Sequence, residues 1–473
     1  MGIAKQSCDC CRVRRVKCDR NKPCNRCIQR NLNCTYLQPL KKRGPKSIRA
    51  GSLKKIAEVQ MVSMNNNIMA APVVCKKVPK NLIDQCLRLR LYHDNLYVIW
   101  PMLSYDDLHK LLEEKYDDRC AYWFLVSLSA ATLSDLQIEI EYEEGVTFTG
   151  EQLCTLCMLS RQFFDDLSNS DIFRIMTYYC LHRCYAQFAD TRTSYRLSCE
   201  AVGLIIKIAG FHREETYEFL PFGEQQLRRK VYYLLLMTER FYAVYIKCVT
   251  SLDATIAPPL PEVVTDPRLS LESFLEVIRV FTIPGKCFYD ALATNCVDDS
   301  CTEDSLKRIR NELHTTSLDI EPWSYGYIDF LFSRHWVRTL AWKLVLHMKG
   351  MRMNFLSNTN NTHIPVEIAR DMLGDTFLTP KNLYDVHGPG IPMKALEIAN
   401  ALVDVVNKYD HNMKLEAWNV LYDVSKFVFS LKHCNNKMFD RFSTKCQGAL
   451  ITLPISKPLQ LNDNSKDEDD IIP

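Results

Sequence analysis

Seven cysteines fall between Cys8 and Cys34 in the stretch SCDCCRVRRVKCDRNKPCNRCIQRNLNC. Thiols this dense bind metal, pair as disulfides, or fill a core as small apolar groups. Spacing separates these uses. Cys8, Cys11 and Cys18 are set apart by two and then six residues, and Cys24, Cys27 and Cys34 repeat the pattern. The motif is C-x2-C-x6-C twice, joined by Asp19-Arg20-Asn21-Lys22-Pro23, and Cys10 belongs to neither copy. One tetrahedral zinc takes four ligands and would leave two of the six repeated cysteines idle. Two zincs need eight bonds, which six sulfurs supply only if two of them bridge. Under the pseudo-symmetry, the first cysteine of each copy, Cys8 or Cys24, is the bridging candidate. Two zincs with six thiolates leave a negative cluster, which nearby Arg and Lys offset while depressing the thiol pKa values. Two alternatives stand beside this reading. A four-cysteine single-zinc ribbon leaves the duplicated spacing unexplained, and disulfides suit an oxidising compartment.

These ligands need short elements to hold them. Each copy has room for a short helix after its C-x2-C, over Arg12–Lys17 and Ile28–Asn33. Val13 with Val16, and Ile28 with Leu32, are expected to share a face and pack inward. The first insert carries Arg12, Arg14, Arg15 and Lys17, whereas the second carries only Arg30. Charge therefore assigns base reading to the first copy and support to the second. The arginine fork suits the O6 and N7 of guanine. Arg12, Lys17, Arg20 and Lys22 are placed as phosphate partners, which fix register without specifying sequence. Lys41, Lys42, Arg43 and Lys46 extend the charge as a phosphate-binding or nuclear-import arm, and Gly44-Pro45 keeps that arm extended. Leu53, Ile56 and Val59 form one apolar stripe, which makes 52–64 the candidate dimerisation helix.

The stretch 8–34 resembles the fungal binuclear zinc cluster DNA-binding domain, with all six ligand spacings in agreement and Pro23 just before the fourth ligand. The resemblance implies two Zn per chain, held by Cys8, Cys11, Cys18, Cys24, Cys27 and Cys34 between two short helices. It also implies double-stranded DNA with CGG-like half-sites as the partner, read by the pair Arg14 and Arg15. Through KKRGPKSIRAGSLKKIAEVQ and beyond, the chain resembles the yeast activators of maltose permease and maltase genes. GFHREETYEFLPFGEQQLRRKVYYLLLMTERFYAVY (210–245) and TSLDATIAPPLPE (250–262) resemble the middle homology region that follows many fungal zinc clusters. That resemblance implies a sequence-specific transcription activator in the nucleus, homodimeric, with transcription coactivators and a sugar effector as further partners. A repressor, or a regulator of another carbon-metabolism regulon, is the alternative.

The rest of the chain sets the background. The formal charge of +3 over 473 residues hides an asymmetry: residues 1–60 hold 16 Lys+Arg against 3 Asp+Glu, and the remainder holds 43 against 53. A basic head on an acidic body suits a polyanion-binding module joined to a larger domain. MGIAKQSCDC lacks an apolar signal core, and Gln6 stands where a myristoylation motif wants Ser or Thr. Apolar runs such as YYLLLM (232–237) are too short to span a bilayer, so no membrane partner is expected. A reducing compartment follows as the expectation.

From about 80 to 455 the period is helical, with helices expected near 81–99, 105–116, 120–134, 150–166, 170–188, 192–210, 303–316, 326–349, 394–409 and 412–432. In EQQLRRKVYYLLLMTERFYAVY the apolar face is Leu227, Val231, Leu234, Leu235, Thr238 and Tyr242, with Arg228, Arg229, Lys230 and Glu239 mostly outside. Cys154, Cys157, Cys180 and Cys184 read as buried core thiols before they read as a third metal site. DLQIEIEYEE (135–144) alternates acidic with apolar residues and reads as an exposed edge or a coactivator-recruiting segment. No phosphate-cradling glycine loop, nucleophile elbow or H-E-x-x-H is present, so no enzyme is expected. The expected organisation is a small binuclear zinc cluster DNA-binding domain (1–40), a basic arm and linker (41–80), a large all-α regulatory domain (81–455), and an acidic tail (456–473).

Overall fold

The computed structural model describes residues 6–37, 77–88, 91–142, 146–161, 171–207, 209–261, 271–296, 301–316, 324–351, 363–377, 379–408 and 411–448. The basic arm at Lys41, Lys42, Arg43 and Lys46, the candidate dimerisation helix at 52–64 and the acidic tail lie outside these residues. The chain divides into two compact units, 1–77 and 78–473.

Among its described residues the first unit holds two one-turn helices, α1 (Asp9–Val13) and α2 (Asn25–Ile28). Cys8 and Cys24 are their N-caps, so both helices begin inside the C-x2-C rather than after it. This shifts the expected packing. Val13 is 73% exposed and Ile28 55% exposed, and Leu32 is exposed too. Val13 lies two residues past Cys11, about 200° around a helix, and so faces away from the cysteines. Val16 does pack against them.

Among its described residues the second unit is all-α apart from one hairpin. It opens with α3 (Lys80–Arg88), α4 (Leu91–Asn95), α5 (Tyr105–Lys115) and α6 (Arg119–Leu136). Asp118 caps α6 by accepting from the Ala121 N–H, and Gln137 ends it in the left-handed region. Helix α6 is buried on every side, and Ser127 and Ser129 satisfy their hydroxyls on the carbonyls of Phe124 and Leu125. Strands β1 (Ile140–Tyr142) and β2 (Val146–Phe148) then pair antiparallel, Ile140 opposite Phe148. The described part of that acidic-apolar segment, 135–142, is therefore a helix end and a strand. Its Asp135 is buried and accepts from Arg183 and Gln187.

The chain continues through α7 (Gly150–Leu159), α8 (Ile172–Gln187), α9 (Thr191–Lys207) and α10 (Phe222–Ile246). Thr149 and Gln152 form a capping box at α7. Next come α11 (Glu272–Thr282), α12 (Lys286–Thr294), α13 (Glu303–Thr315) and α14 (Tyr325–Met351). The last group is α15 (Ile364–Thr376), α16 (Asn382–Asp385), α17 (Gly390–Lys408), α18 (His411–Phe429) and α19 (Asn436–Gly448). Helices α11, α12, α15, α16 and α19 are additions to the sequence expectation. One hydrophobic core surrounds α6, α8 and α10, and a second joins α15, α17 and α18. Helix α14 serves both, giving Trp336 to the first and Trp342 to the second.

Helix α10 corrects the expected outer face. Arg229, Lys230 and Glu239 are buried, as is Arg240. Glu239 accepts from the N–H groups of Ser251 and Leu252 at 2.7 and 2.8 Å. Arg229 binds Glu214 and the carbonyl of Ala257. The charged side chains thus fasten the connection that follows the helix, because its backbone needs partners once it is covered.

Candidate metal centre and nucleic-acid interface

The repeat brings six sulfurs together in the first unit. Cys8, Cys11, Cys18 and Cys24 form one group of four, and Cys8, Cys24, Cys27 and Cys34 form another, with the sulfurs of each group within 4.8 Å of one another. Cys8 and Cys24 belong to both groups and lie 3.6 Å apart, sulfur to sulfur. Cys8 to Cys27 is 3.6 Å and Cys11 to Cys24 is 3.7 Å. Thiolates bound tetrahedrally at about 2.3 Å from zinc sit roughly 3.8 Å from each other, so the donor type, number and spacing fit two zinc ions. Cys10 is outside both groups, and its thiol donates to the carbonyl of Asn33 at 3.1 Å.

Backbone N–H groups support the sulfurs as anions. Cys11 N–H donates to Cys8, Arg20 N–H to Cys18 and Cys24 N–H to Cys34, at 3.3–3.4 Å. Burial alone would raise the Cys18 thiol, but the backbone N–H groups of Cys8 and Arg20, with hydrogen bonds from the Cys24 and Cys8 side chains, outweigh it and bring it down to about 7. Cys34 is lowered in the same way. The shared pair behaves differently: burial pushes Cys8 up, and Cys24 up to about 12. Thiols held so close cannot all ionise unaided, which is what a bound dication relieves.

Other contacts tie the two copies together, and spacing arguments missed them. Asp9 is buried and accepts from the Thr35 hydroxyl at 2.8 Å and the Leu37 N–H at 2.7 Å. Asp19 accepts from the Asn21 and Asn25 N–H groups. Tyr36 donates its hydroxyl to the Asn21 carbonyl and carries Lys22 over its ring. Asp9 and Asp19, each just after a cysteine of the first copy, are the signal that sequence inspection had available.

The basic residues divide by exposure. Arg15, Lys17, Arg20 and Lys22 are exposed, while Arg12 and Arg14 are half-buried. Arg12 lies 3.5 Å from Asp9 on the same turn. Arg14 is the C-cap of α1, and Arg15 follows with φ 52°, which turns the chain away from the helix axis and directs the basic run outward. Arg14 also buries Nη1 without a hydrogen-bond partner.

In the second unit, Cys154, Cys157, Cys180 and Cys184 are all buried at the packing of α7 on α8. Burial holds Cys157, Cys180 and Cys184 well above the usual thiol range, which suits inert core thiols. Among the described residues no helix is long and apolar enough to cross a membrane.

Residues 6–43 match the fungal Zn(2)-Cys(6) binuclear cluster domain. The chain is 82% identical over 473 residues to a maltose fermentation regulatory protein of Saccharomyces cerevisiae, covering 100% of both. It is 71% identical over 473 residues to a second maltose fermentation regulatory protein of that yeast, again covering 100% of both. It is also 69% identical over 475 residues to a respiratory transcription factor of the same organism, covering 100% of each.

Proposed function

The chain belongs to the maltose fermentation regulatory proteins, DNA-binding zinc-cluster transcription regulators and not enzymes, and from that premise we propose that it activates maltose permease and maltase genes in response to maltose. The head takes two zinc ions. In the assignment proposed here, Cys8, Cys11, Cys18 and Cys24 hold one, and Cys8, Cys24, Cys27 and Cys34 hold the other. Bound zinc supplies the positive charge that keeps the crowded thiols deprotonated and locks the two copies together. The observation that carries this reading is the pair of sulfur groups sharing Cys8 and Cys24, with the basic run Arg14–Lys17 leaving α1 beside them.

On this reading, Arg14 and Arg15 contact guanines of CGG-like half-sites, and Arg12, Lys17, Arg20 and Lys22 bind phosphates. The arm at Lys41, Lys42, Arg43 and Lys46 adds phosphate contacts and directs the protein to the nucleus. A homodimer places two heads on paired half-sites. The body senses a sugar and, with coactivators, converts it into transcription. The respiratory transcription factor among its relatives favours one second reading, control of another carbon-metabolism regulon.

Genome-wide DNA occupancy with and without maltose, for the wild type and Arg15→Ala, tests the proposal. Expected is occupancy of CGG-bearing sites upstream of maltose-use genes, lost in Arg15→Ala. Each good base contact is worth about 1–3 kcal/mol of discrimination. Occupancy concentrated at respiratory genes would establish the second reading instead, and an Arg15→Ala map identical to wild type would refute the base-reading role.

A further inference from the structure

A cleft of about 580 Å³ opens where the end of α10, the end of α12, the second half of α14 and α17 meet. That volume lies inside the range of roughly 300–1,000 Å³ typical of small-molecule pockets. A cavity of about 240 Å³ beside Tyr195, Cys199 and Gly203 lies below it. The polar lining of the cleft is Lys247, Asn295, Lys343, His347, Glu397 and Asp404, over a floor of leucines.

Three of the charged side chains in this lining, Lys343, Glu397 and Asp404, are already in ion pairs. Lys343 pairs with Glu397 at 2.5 Å, and Asp404 pairs with Lys445 at 3.0 Å. Each carboxylate keeps lone pairs beyond its ion pair, so it can accept from hydroxyl groups without a cation having to enter. Lys247 donates to the Leu292 carbonyl at 3.1 Å and carries further N–H donors. His347 lies 2.9 Å from the Asn295 carbonyl. Two helices also end at the cleft. Lys247 and Asn295 are left-handed C-caps, with φ 60° and 56°. Helix C-termini present carbonyl groups and negative partial charge, which disfavour anions and welcome donors. Among the described residues no guanidinium lines the cleft to fork a phosphate.

Alternating donors and acceptors, balanced charge and an apolar floor together describe a site for a neutral polyhydroxyl molecule. We propose that this cleft binds a neutral disaccharide, an inference that rests on the sugar response proposed above. A ligand here joins α10, part of the first core, to α17, part of the second. It changes the activity of the body by its different affinity for two arrangements of these helices.

The test is calorimetric titration of the zinc-loaded full chain with maltose and with glucose 1-phosphate. The variants are Asp404→Asn and His347→Trp in the cleft, with Gly203→Leu as a plug for the smaller cavity. Circular dichroism checks folding, and because the cleft variants sit on different helices, failure of one to fold leaves the other informative. Expected is maltose binding by the wild type and by Gly203→Leu, weakened roughly tenfold or more by each cleft variant. The proposal is overturned if maltose does not bind, if binding ignores the cleft variants, if Gly203→Leu alone abolishes it, or if only the sugar phosphate binds. A maltose-responsive reporter run in parallel separates the two layers. A response without maltose binding removes the cleft site and keeps the sugar-response reading. Cleft-dependent binding without a response supports the site and removes that reading.

Discussion

Cys10 and Cys24 differ in what their sulfurs touch. Cys24 lies in both sulfur groups and within 3.7 Å of Cys8 and Cys11. Cys10 lies outside both groups and donates to the Asn33 carbonyl, a role that a serine hydroxyl can take over. Cys10→Ser is therefore expected to keep two zincs per chain by elemental analysis, and Cys24→Ser to lose the cluster. Zinc loss from Cys10→Ser would refute the ligand register. At this scale the centre was legible because ligand number and tetrahedral geometry translate directly into spacing. Asp9 was not legible as a clamp, since Thr35, which it holds, is 26 residues away. Nor was the exposure of Val13, which depends on the helix beginning one residue after Cys8.

Two glycines place opposite demands on their helices. Gly150 begins α7 where it crosses α6, and a Cβ there would lie 2.6 Å from the Ala130 carbonyl and 2.7 Å from the Ser134 nitrogen. Both contacts are backbone and cannot swing aside. Gly150→Ala is expected to destabilise the body by about 1–3 kcal/mol. Gly203 sits within α9 with nothing within 4 Å of its Cβ position, so Gly203→Ala is expected to stabilise by about 0.5–1 kcal/mol through backbone entropy alone. Urea denaturation midpoints check both, and equal shifts of one sign would refute this account of the α6–α7 crossing. The long helices were legible from their 3.6-residue period, as in α5, α10 and α14. Helix α10 misled in one respect. Arg229, Lys230 and Glu239 look like an outer face by period, yet they meet the Glu214 carboxylate, backbone groups and the Tyr97 hydroxyl of other segments. Strand β1 falls within the acidic-apolar alternation of 135–144, whereas β2, three residues long, is too short to show one.

The two units are stabilised by different physics. The second has two hydrophobic cores, with Trp100, Trp336 and Trp342 almost wholly buried. In the first, the buried apolar residues among those described are Cys8, Cys11, Cys24 and Cys27, each at 0% exposure. A core made of metal ligands has little to hold it when the metal leaves, because each structural zinc contributes about 10–16 kcal/mol to folding. Chelation is therefore expected to unfold the head while the body keeps its helical signal and thermal midpoint. The charge of the head does not leave with the zinc: residues 1–60 still carry 16 Lys+Arg against 3 Asp+Glu. Counterion release by these residues needs no folded cluster, so the metal-free chain should still bind DNA weakly and with steep salt dependence. What it should lose, if Arg14 and Arg15 read bases as proposed, is the difference between CGG-bearing and random duplexes, since that reading needs the two arginines held in one orientation. Fluorescence anisotropy on both duplexes, across a salt series and before and after chelation, measures that difference. Discrimination that survives zinc removal would show that the cluster does not position the base-reading residues.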